Sequence, residues 1–154
     1  MIEVADVTSL RDRIGQEVAV SEWLEVSQER INQFAEATED RQWIHVDVER
    51  ARRESPFKTT IAHGYLTLAL TSRMVRTALT FPKVKLAINY GLNKVRFIAP
   101  VPVGSRIRGR ISPVSIETAS GSTQVVWNIV VEREGAEKPC CAVEWVVRYY
   151  TEVG

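Results

Sequence analysis

The hydrophobic pattern divides the chain into a helical first half and a strand-rich second half. In segment 28–38, apolar residues recur three and four positions apart, which predicts a helix, and Ser27 is a suitable N-cap for it. Segment 63–79 is apolar on nearly all sides at its start and amphipathic towards its end. This pattern predicts a long and mostly buried helix that ends before Pro82.

The second half alternates between apolar and polar residues with the two-residue period of β-strands. Four long strands are predicted, over 84–97, 106–111, 124–132 and 143–149, with turns at 102–104, 119–121 and 134–135. Gly91 interrupts the first of these strands and predicts a bulge there. Because each strand carries one polar face, we expect an antiparallel sheet with one face in water.

The remaining segments are less regular. Residues 1–16 predict a short leading helix, and residues 17–26 predict a strand that places Trp23 in the core. Residues 39–60 are charged and irregular, with one helical turn expected at 48–53. A loop of this length in a compact domain is usually either functional or disordered, and its large apolar side chains argue against disorder.

A long apolar helix and one antiparallel sheet bury most apolar surface when the sheet curves around the helix. We therefore expect an α+β fold with a single domain over residues 1–154, a length that suits one hydrophobic core. No internal repeat or low-complexity segment divides the chain.

Composition narrows the possible functions. The chain has 20 basic and 19 acidic residues, a balance that argues against broad binding of nucleic acid but leaves room for a small basic patch. No apolar run approaches the length of a membrane span, and the N-terminus lacks the apolar core of a secretory signal. A disulfide between the adjacent Cys140 and Cys141 would need distorted geometry. We expect a soluble cytoplasmic protein without disulfides.

Asp40 and His45 are the first candidates for chemistry. An ordered loop that brings a carboxylate and an imidazole together can support general acid/base catalysis through one water molecule. A plainer interpretation fits the spacing as well, with Asp40 capping a helix or turn and His45 packing beside Trp43 and Ile44. Both interpretations stay open on the residue types alone.

His63 and Gly64 lie where the loop enters the long helix. The first N–H groups of a helix lack intrahelical partners, and the helix dipole favours negative charge beside them. A glycine also allows close approach, so this position suits an oxyanion hole for a polarised carbonyl. Alternatively, Gly64 serves only to let the helix pack tightly against the sheet.

Other chemistries have weaker support. His45, Asp47 and His63 are possible metal ligands, but they lack a recognised zinc or iron spacing, and we expect no metal. No G-x-S-x-G motif indicates a serine nucleophile. Lys94 and Arg96 lie in a region that is typical of a solvated face, although such residues can also meet phosphates.

Three segments of the sequence resemble a known family. The segments FAEATEDRQWIHVD and PFKTTIAHGYLTLAL resemble the MaoC-like dehydratases, which include (R)-specific enoyl-CoA hydratases and nodulation protein N-like proteins. The matching positions are Phe34, Ala35, Asp40, His45, Asp47, Phe57, Ala62, His63, Gly64 and Leu66. The later segment NYGLNKVRFIAPVPVGSRI resembles a strand and turn of the same family.

The resemblance implies a hot-dog fold, in which a sheet wraps a central helix, and a homodimer with acyl chains beside the helices. It implies reversible addition of water to trans-2-enoyl-CoA to give (R)-3-hydroxyacyl-CoA. By position, Asp40 and His45 would activate the water, and the Gly64 N–H would bond the thioester oxygen. Coenzyme A or an acyl-carrier protein would carry the acyl group, and no other cofactor is expected.

We expect substrate-binding residues around this site, namely Gln42, Trp43, His63, Tyr65, Lys94 and Arg96. The chain departs from the hydratase pattern at one place, because Gln42-Trp43 stands where Asn-Pro is usual between the Asp and the His. The resemblance therefore predicts neither the shape of this loop nor the length of the acyl chains that the protein accepts.

Two alternatives to a hydratase fit the same fold. Hot-dog acyl-CoA thioesterases commonly carry their carboxylate on the central helix, yet this helix has no Asp or Glu between Ile61 and Pro82. A non-catalytic subunit that binds acyl thioesters would have no need for Asp40, His45 and Gly64 together. The lack of a carboxylate on the helix argues against the thioesterase, and the presence of all three residues argues against the non-catalytic subunit. Both observations favour the hydratase.

Overall fold

A computed structural model describes residues 1–119 and 121–152 of the chain. Its α-helices are α1 (Gln28–Thr38), α2 (Trp43–Val46), α3 (Val48–Glu54) and α4 (Gly64–Ala78), preceded by a 3₁₀ helix at Val7–Arg13. Its strands are β1 (Ile2–Glu3), β2 (Ala19–Val20), β3 (Leu24–Glu25), β4 (Leu79–Thr80), β5 (Leu86–Phe97), β6 (Arg106–Ala119), β7 (Ser122–Arg133) and β8 (Cys141–Tyr150).

The main sheet is antiparallel and curves around α4. Its strand order is β2-β6-β7-β8-β5, and β3 also pairs with β6. The inner faces of β6, β7 and β8 pack on α4, and α4 lies so close to β6 that a Cβ added to Gly109 would lie 3.1 Å from the Met74 sulfur. The predicted hot-dog arrangement, with a sheet wrapped around a central helix, is therefore confirmed.

Helix α1 has the predicted bounds. The Ser27 hydroxyl accepts a hydrogen bond from the Arg30 N–H at 3.3 Å, which satisfies one of the free donors at the start of the helix. Ile31 and Ala35 are buried on its inner face. The helix ends at Glu39, whose φ of 60° turns the chain into the left-handed region.

The loop over 39–60 is more ordered than its sequence predicts. The single turn expected at 48–53 is the helix α3, and a second short helix, α2, precedes it. The Asp47 side chain caps α3 by accepting a hydrogen bond from the Arg50 N–H at 2.9 Å. Helix α2 has no side-chain cap and only four residues, too few for a periodic hydrophobic signal.

Three predictions for the N-terminal region need correction. The strand expected over 17–26 is split into β2 and β3, because Ser21 between them exchanges hydrogen bonds with Gly109 through its main chain and its hydroxyl. Trp23 is only half-buried and is not a core residue, since its ring lies under the Arg108 guanidinium at 4.4 Å. The leading helix is a 3₁₀ helix, and β1 pairs in parallel with β4, a contact absent from the predictions.

Strand β5 also differs from the expected pattern of one wet face. It lies at the edge of the sheet, and within residues 1–119 and 121–152 its one partner strand is β8; both of its faces are largely exposed. Leu86, Ile88 and Leu92 are 40%, 43% and 47% exposed. The register shifts between Asn89 and Gly91, which confirms the predicted bulge.

The turns at 102–104 and 134–135 are present, with Gly104 at φ 78° and Gly135 at φ 74°. The predicted turn at 119–121 includes Ser120, which lies outside the described residues. Cys140 and Cys141 are both buried and free, as predicted. Within residues 1–119 and 121–152, no helix has both the length and the apolarity needed to cross a membrane.

Candidate active site

The fold brings together three of the residues singled out in the sequence. Asp40 follows α1, His45 lies in α2, and His63 immediately precedes α4. One side-chain ligand atom from each of the three lies within 4.8 Å of the others. Both imidazoles are buried, whereas Asp40 is exposed. The structure therefore places a carboxylate that water can reach beside two fixed imidazole rings.

The orientation of His45 is set by a hydrogen bond to the main chain. Its Nδ1 lies 2.7 Å from the carbonyl oxygen of Ile61. Because a carbonyl can only accept, Nδ1 carries the proton and donates it, which leaves Nε2 of a neutral ring as an acceptor. The Ile61 N–H in turn donates to the Ile44 carbonyl at 3.1 Å, so the segment that orients the ring is itself tied to α2.

The surroundings of His45 favour its neutral form. Burial is the largest cause and lowers the pKa of His45 below its ordinary value of 6.5, and the nearby His63 lowers it further. The hydrogen bond to Ile61 and the Asp40 carboxylate act in the opposite direction without reversing the shift. At neutral pH, Nε2 is therefore available to accept a proton.

His63 makes a different set of contacts. Its Nε2 lies 2.9 Å from the main-chain carbonyl oxygen of Asp40. Its ring stacks on that of His45, with centroids 3.8 Å apart and planes inclined by 24°, and Phe34 packs on it with centroids 5.0 Å apart. His63 is 2% exposed, so it lies behind the site and not in contact with solvent.

Gly64 begins α4 at the edge of a cavity of about 230 Å³. His45, Thr67, Phe97 and Cys140 are among the other residues that line this cavity. Among the described residues, the Gly64 N–H has no hydrogen-bond partner. A Cβ at this position would lie 3.1 Å from the Phe97 ring, so the helix start also packs closely against the sheet here, and a larger residue would displace that ring by a few tenths of an ångström. The two interpretations of Gly64 are thus compatible.

The structure shows a supporting residue that the sequence did not indicate. The Gln28 amide donates to the His45 carbonyl at 2.7 Å, and its oxygen accepts from the buried hydroxyl of Thr60. Gln28 therefore joins α1 to α2 and to the segment that leads into α4. Only its position in the first turn of α1 was visible in the sequence, and that gives no sign of a partner 17 residues away.

The other candidate substrate-binding residues lie further out. Gln42 is exposed at the start of α2, and Trp43 is half-buried with the Arg50 guanidinium 4.4 Å from its ring centroid. Tyr65 is 70% exposed and meets the Phe97 ring edge-on. Lys94 and Arg96 are exposed on β5, outside the residues that line the cavity.

The ring geometry bears on metal binding. Two histidines that bind one ion each direct a nitrogen at it within the plane of the ring. The rings of His45 and His63 are stacked with centroids 3.8 Å apart and planes inclined by 24°, which does not suit a shared ion. One nitrogen of each ring is also engaged with a carbonyl. The cluster therefore fits a hydrogen-bonded acid/base site better than a metal centre.

Comparison with known proteins agrees with the fold and with the resemblance. The family model described as a MaoC like domain matches residues 9–134. The chain therefore belongs to the MaoC-like dehydratase family, whose domain has the hot-dog fold described above.

Two curated relatives are similar over almost their whole length. The chain is 53% identical over 144 residues to 3-hydroxyacyl-thioester dehydratase Z of Mycobacterium tuberculosis, covering 93% of this chain and 95% of that protein. It is 45% identical over 148 residues to nodulation protein N of Rhizobium meliloti, covering 94% and 89%. The solved structure of a MaoC-like dehydratase from Rhodospirillum rubrum has the same fold, with a TM-score of 0.73 at 22% identity over 92% of this chain and 94% of that one.

Proposed function

We propose that this protein is an (R)-specific enoyl-thioester hydratase, which reversibly adds water to a trans-2-enoyl thioester to give an (R)-3-hydroxyacyl thioester. One observation carries the proposal: the Asp40 carboxylate lies within 4.8 Å of the His45 imidazole, and that imidazole lines a cavity edged by a helix N–H that has no partner among the described residues. This arrangement provides the groups that hydration of a conjugated thioester requires. The similarity to a 3-hydroxyacyl-thioester dehydratase supports the same substrate class.

In the proposed reaction, Asp40 and His45 bind one water molecule between them. His45 Nε2 takes a proton from this water as its oxygen attacks C3 of the enoyl group. The C2–C3 π electrons move towards the thioester, and C2 then receives a proton from the Asp40–His45 pair. One O–H bond of water and the C2–C3 π bond break while one C–O and one C–H bond form, so no other reactant is needed.

The start of α4 would stabilise the intermediate charge. As C3 is attacked, negative charge develops on the thioester oxygen, and a preorganised donor aimed at that oxygen lowers the barrier. The Gly64 N–H is such a donor, since it lacks a partner in the described residues and edges the cavity that His45 lines. The dipole of the 15-residue α4 adds positive potential at the same end.

We place the acyl group beside α4, beyond the cavity. Grooves of about 400 and 520 Å³ run between α4 and the strands β5 and β8, with Ser72, Asn89 and Trp145 lining both. Coenzyme A or a carrier protein would hold the thioester, with Lys94 or Arg96 able to meet its phosphates. The only cofactor in this proposal is the coenzyme A that forms part of the substrate.

We further propose a cytoplasmic homodimer joined along β5. One edge of β5 pairs with no strand in the described part of the chain, and β5 exposes Leu86, Ile88 and Leu92. An apolar edge strand of this kind readily pairs with another strand. A second copy of the same strand would satisfy the edge and cover these side chains. The free thiols of Cys140 and Cys141 suit a reducing compartment.

The test follows the hydration of crotonyl-CoA by loss of the absorbance of the conjugated thioester, with chiral chromatography of the product. We expect turnover by the wild type to the (R) isomer, and a loss of at least about 100-fold in Asp40→Asn and in His45→Gln. Asp47→Asn is a matched control, because Asp47 caps α3 and asparagine caps equally well.

Full activity of Asp40→Asn and His45→Gln would show that the catalytic assignment is wrong. Hydrolysis of the thioester without hydration would instead indicate a thioesterase. Binding of acyl-CoA without any turnover, with short, medium and long enoyl chains alike, would indicate a non-catalytic subunit.

A further inference from the structure

His63 contacts Asp40 and His45 and directly precedes Gly64, so it adjoins all three proposed catalytic residues. Its Nε2 bonds the main chain of Asp40 at 2.9 Å, and its ring stacks on His45 at 3.8 Å. Its own carbonyl is part of the peptide unit that carries the Gly64 N–H. His63 itself is not among the residues that line the cavity.

The hydrogen bonds of His63 define which tautomer is present. The Asp40 carbonyl can only accept, so Nε2 carries the proton and donates it. Nδ1 is buried and, among the described residues, has no partner. A second proton on Nδ1 would be a buried donor without an acceptor, which is costly. These contacts therefore assign a proton to Nε2 of His63 and provide no acceptor for one on Nδ1.

Two aromatic rings pack against the ring of His63. Phe34 of α1 packs against it at an angle of 54°, and His45 stacks on it with planes inclined by 24°. The ring thereby connects three elements. Asp40 follows α1, His45 lies in α2, and Gly64 begins α4. Rotation of the His45 ring about its side-chain bonds would collide with the stacked His63.

We propose that His63 is a positioning residue for the hydration reaction, which holds Asp40 through its main chain and supports the ring of His45. This inference rests on the proposed function, and it assigns to His63 no contact with the substrate. The Asp40 carboxylate is exposed and, among the described residues, accepts no hydrogen bond of its own, so its position depends on the Asp40 main chain. The carbonyl of that main chain accepts from His63 Nε2 at 2.9 Å, and its N–H donates to the Thr38 hydroxyl at 3.4 Å. Displacement of a reacting group by about 1 Å can cost about 100-fold in rate.

Two substitutions separate the contributions of the donor and the ring. His63→Gln keeps an N–H donor at a reach similar to Nε2, whereas His63→Phe keeps a planar ring and loses the donor. We expect His63→Phe to lose about 100-fold in kcat and His63→Gln to lose about tenfold or less. KM for crotonyl-CoA is expected to stay within about threefold in both variants, because neither change removes a substrate contact.

A second measurement does not depend on turnover. Long-range ¹H–¹⁵N NMR spectra of the wild type should show His63 as the Nε2–H tautomer at neutral pH. The amide resonances of residues 40 and 41 should shift in His63→Phe more than in His63→Gln, because only the phenylalanine variant lacks the bond to Asp40. This result would stand even if the protein proved not to hydrate enoyl thioesters, so the two proposals fail separately.

Several outcomes would overturn the inference. An Nδ1–H tautomer of His63 would contradict the bond to Asp40. A raised KM with unchanged kcat would show that His63 binds substrate, and equal losses in kcat for the two variants would show that the donor has no special part. A fall in melting temperature with unchanged kcat of the folded protein would show that His63 is only structural.

Discussion

Replacement of Gly64 by alanine tests whether the start of α4 stabilises the thioester oxygen. The added Cβ would lie 3.1 to 3.2 Å from three atoms of the Phe97 ring, a few tenths of an ångström closer than an ordinary contact. Phe97 is 50% exposed, so its ring can move outwards, but that ring also lines the cavity. The close contact is therefore relieved either by movement of the Phe97 ring, which changes the cavity wall, or by movement of the helix start, which displaces the Gly64 N–H.

The effect on stability is expected to be small. Alanine reduces the entropy of the unfolded chain and favours helix, which stabilises the fold by about 0.4–1 kcal/mol where the backbone conformation is compatible. Crowding of a movable side chain costs about 1 kcal/mol or more. These contributions nearly cancel, so the melting temperature should change by no more than about 4 °C.

The effect on catalysis is expected to be larger. Loss of one oxyanion donor costs about 10²–10³ in kcat, and partial misplacement of the donor should cost at least about tenfold. Hydration of crotonyl-CoA by Gly64→Ala, with kcat and KM measured separately, tests this value. The double variant Gly64→Ala/Phe97→Leu, in which the smaller side chain makes room for the methyl group, should recover most of the loss.

Gly109→Ala provides a matched control. It adds the same methyl group at the same closeness, 3.1 Å from the Met74 sulfur, but in the middle of the sheet and outside the cavity. We expect Gly109→Ala to retain kcat, whatever its stability. Full kcat in Gly64→Ala, or an equal loss in Gly109→Ala, would refute the oxyanion role of this helix start.

The remaining predictions concern pH and assembly. Since burial lowers the pKa of His45 below 6.5, its neutral form persists to about that pH, and kcat/KM for hydration should stay level down to pH 6.5 and fall at lower pH. A decline that already begins above pH 7 would contradict this. If β5 joins two protomers, Ile88→Glu and Leu92→Glu should lower the sedimentation coefficient to that of a monomer, whereas Val114→Glu, which changes a comparably exposed residue on β6, should not. Dimers in all three variants would place the interface elsewhere.

Much of the fold was predictable because its signals are local. Helix α1 has both a capping serine and a regular apolar face, and its bounds agree with the prediction. The long strands β5 to β8 have enough residues for alternation to be visible. Elements of two to four residues, such as β1, β4 and α2, contain only about one repeat of the strand or helix period, and a single repeat gives no recognisable pattern.

The prediction that Trp23 is a core residue was wrong for a different reason. Strand alternation separates two faces but does not show what covers each of them. On the outer face of β6, Arg106 and Arg108 lie over the indole, at 5.9 and 4.4 Å from its centroid, and cover an aromatic residue that the pattern assigns to the core.

The candidate site was only partly visible in the sequence. Asp40, His45 and Gly64 were found through a motif, since all three lie within 25 residues of one another. The stacking of His63 on His45 and the bond from Gln28 to His45 depend on how α1, α2 and α4 meet. Contacts of this kind are set by tertiary packing, which no local pattern records.

The position of β5 in the sheet has a consequence for the order of folding. Strands β6, β7 and β8 follow one another as hairpins, whereas β5 skips two strands to pair with β8, with Leu86 opposite Tyr150. Contacts between such distant segments form later than hairpins, because a long loop must first be closed. The cavity wall begins with Phe97 at the end of this late strand and continues to Val101, whose carbonyl accepts from the N–H of Ala62, next to His63, at 2.8 Å. During refolding, the sheet should therefore form before the site, and recovery of activity should lag behind recovery of β-structure.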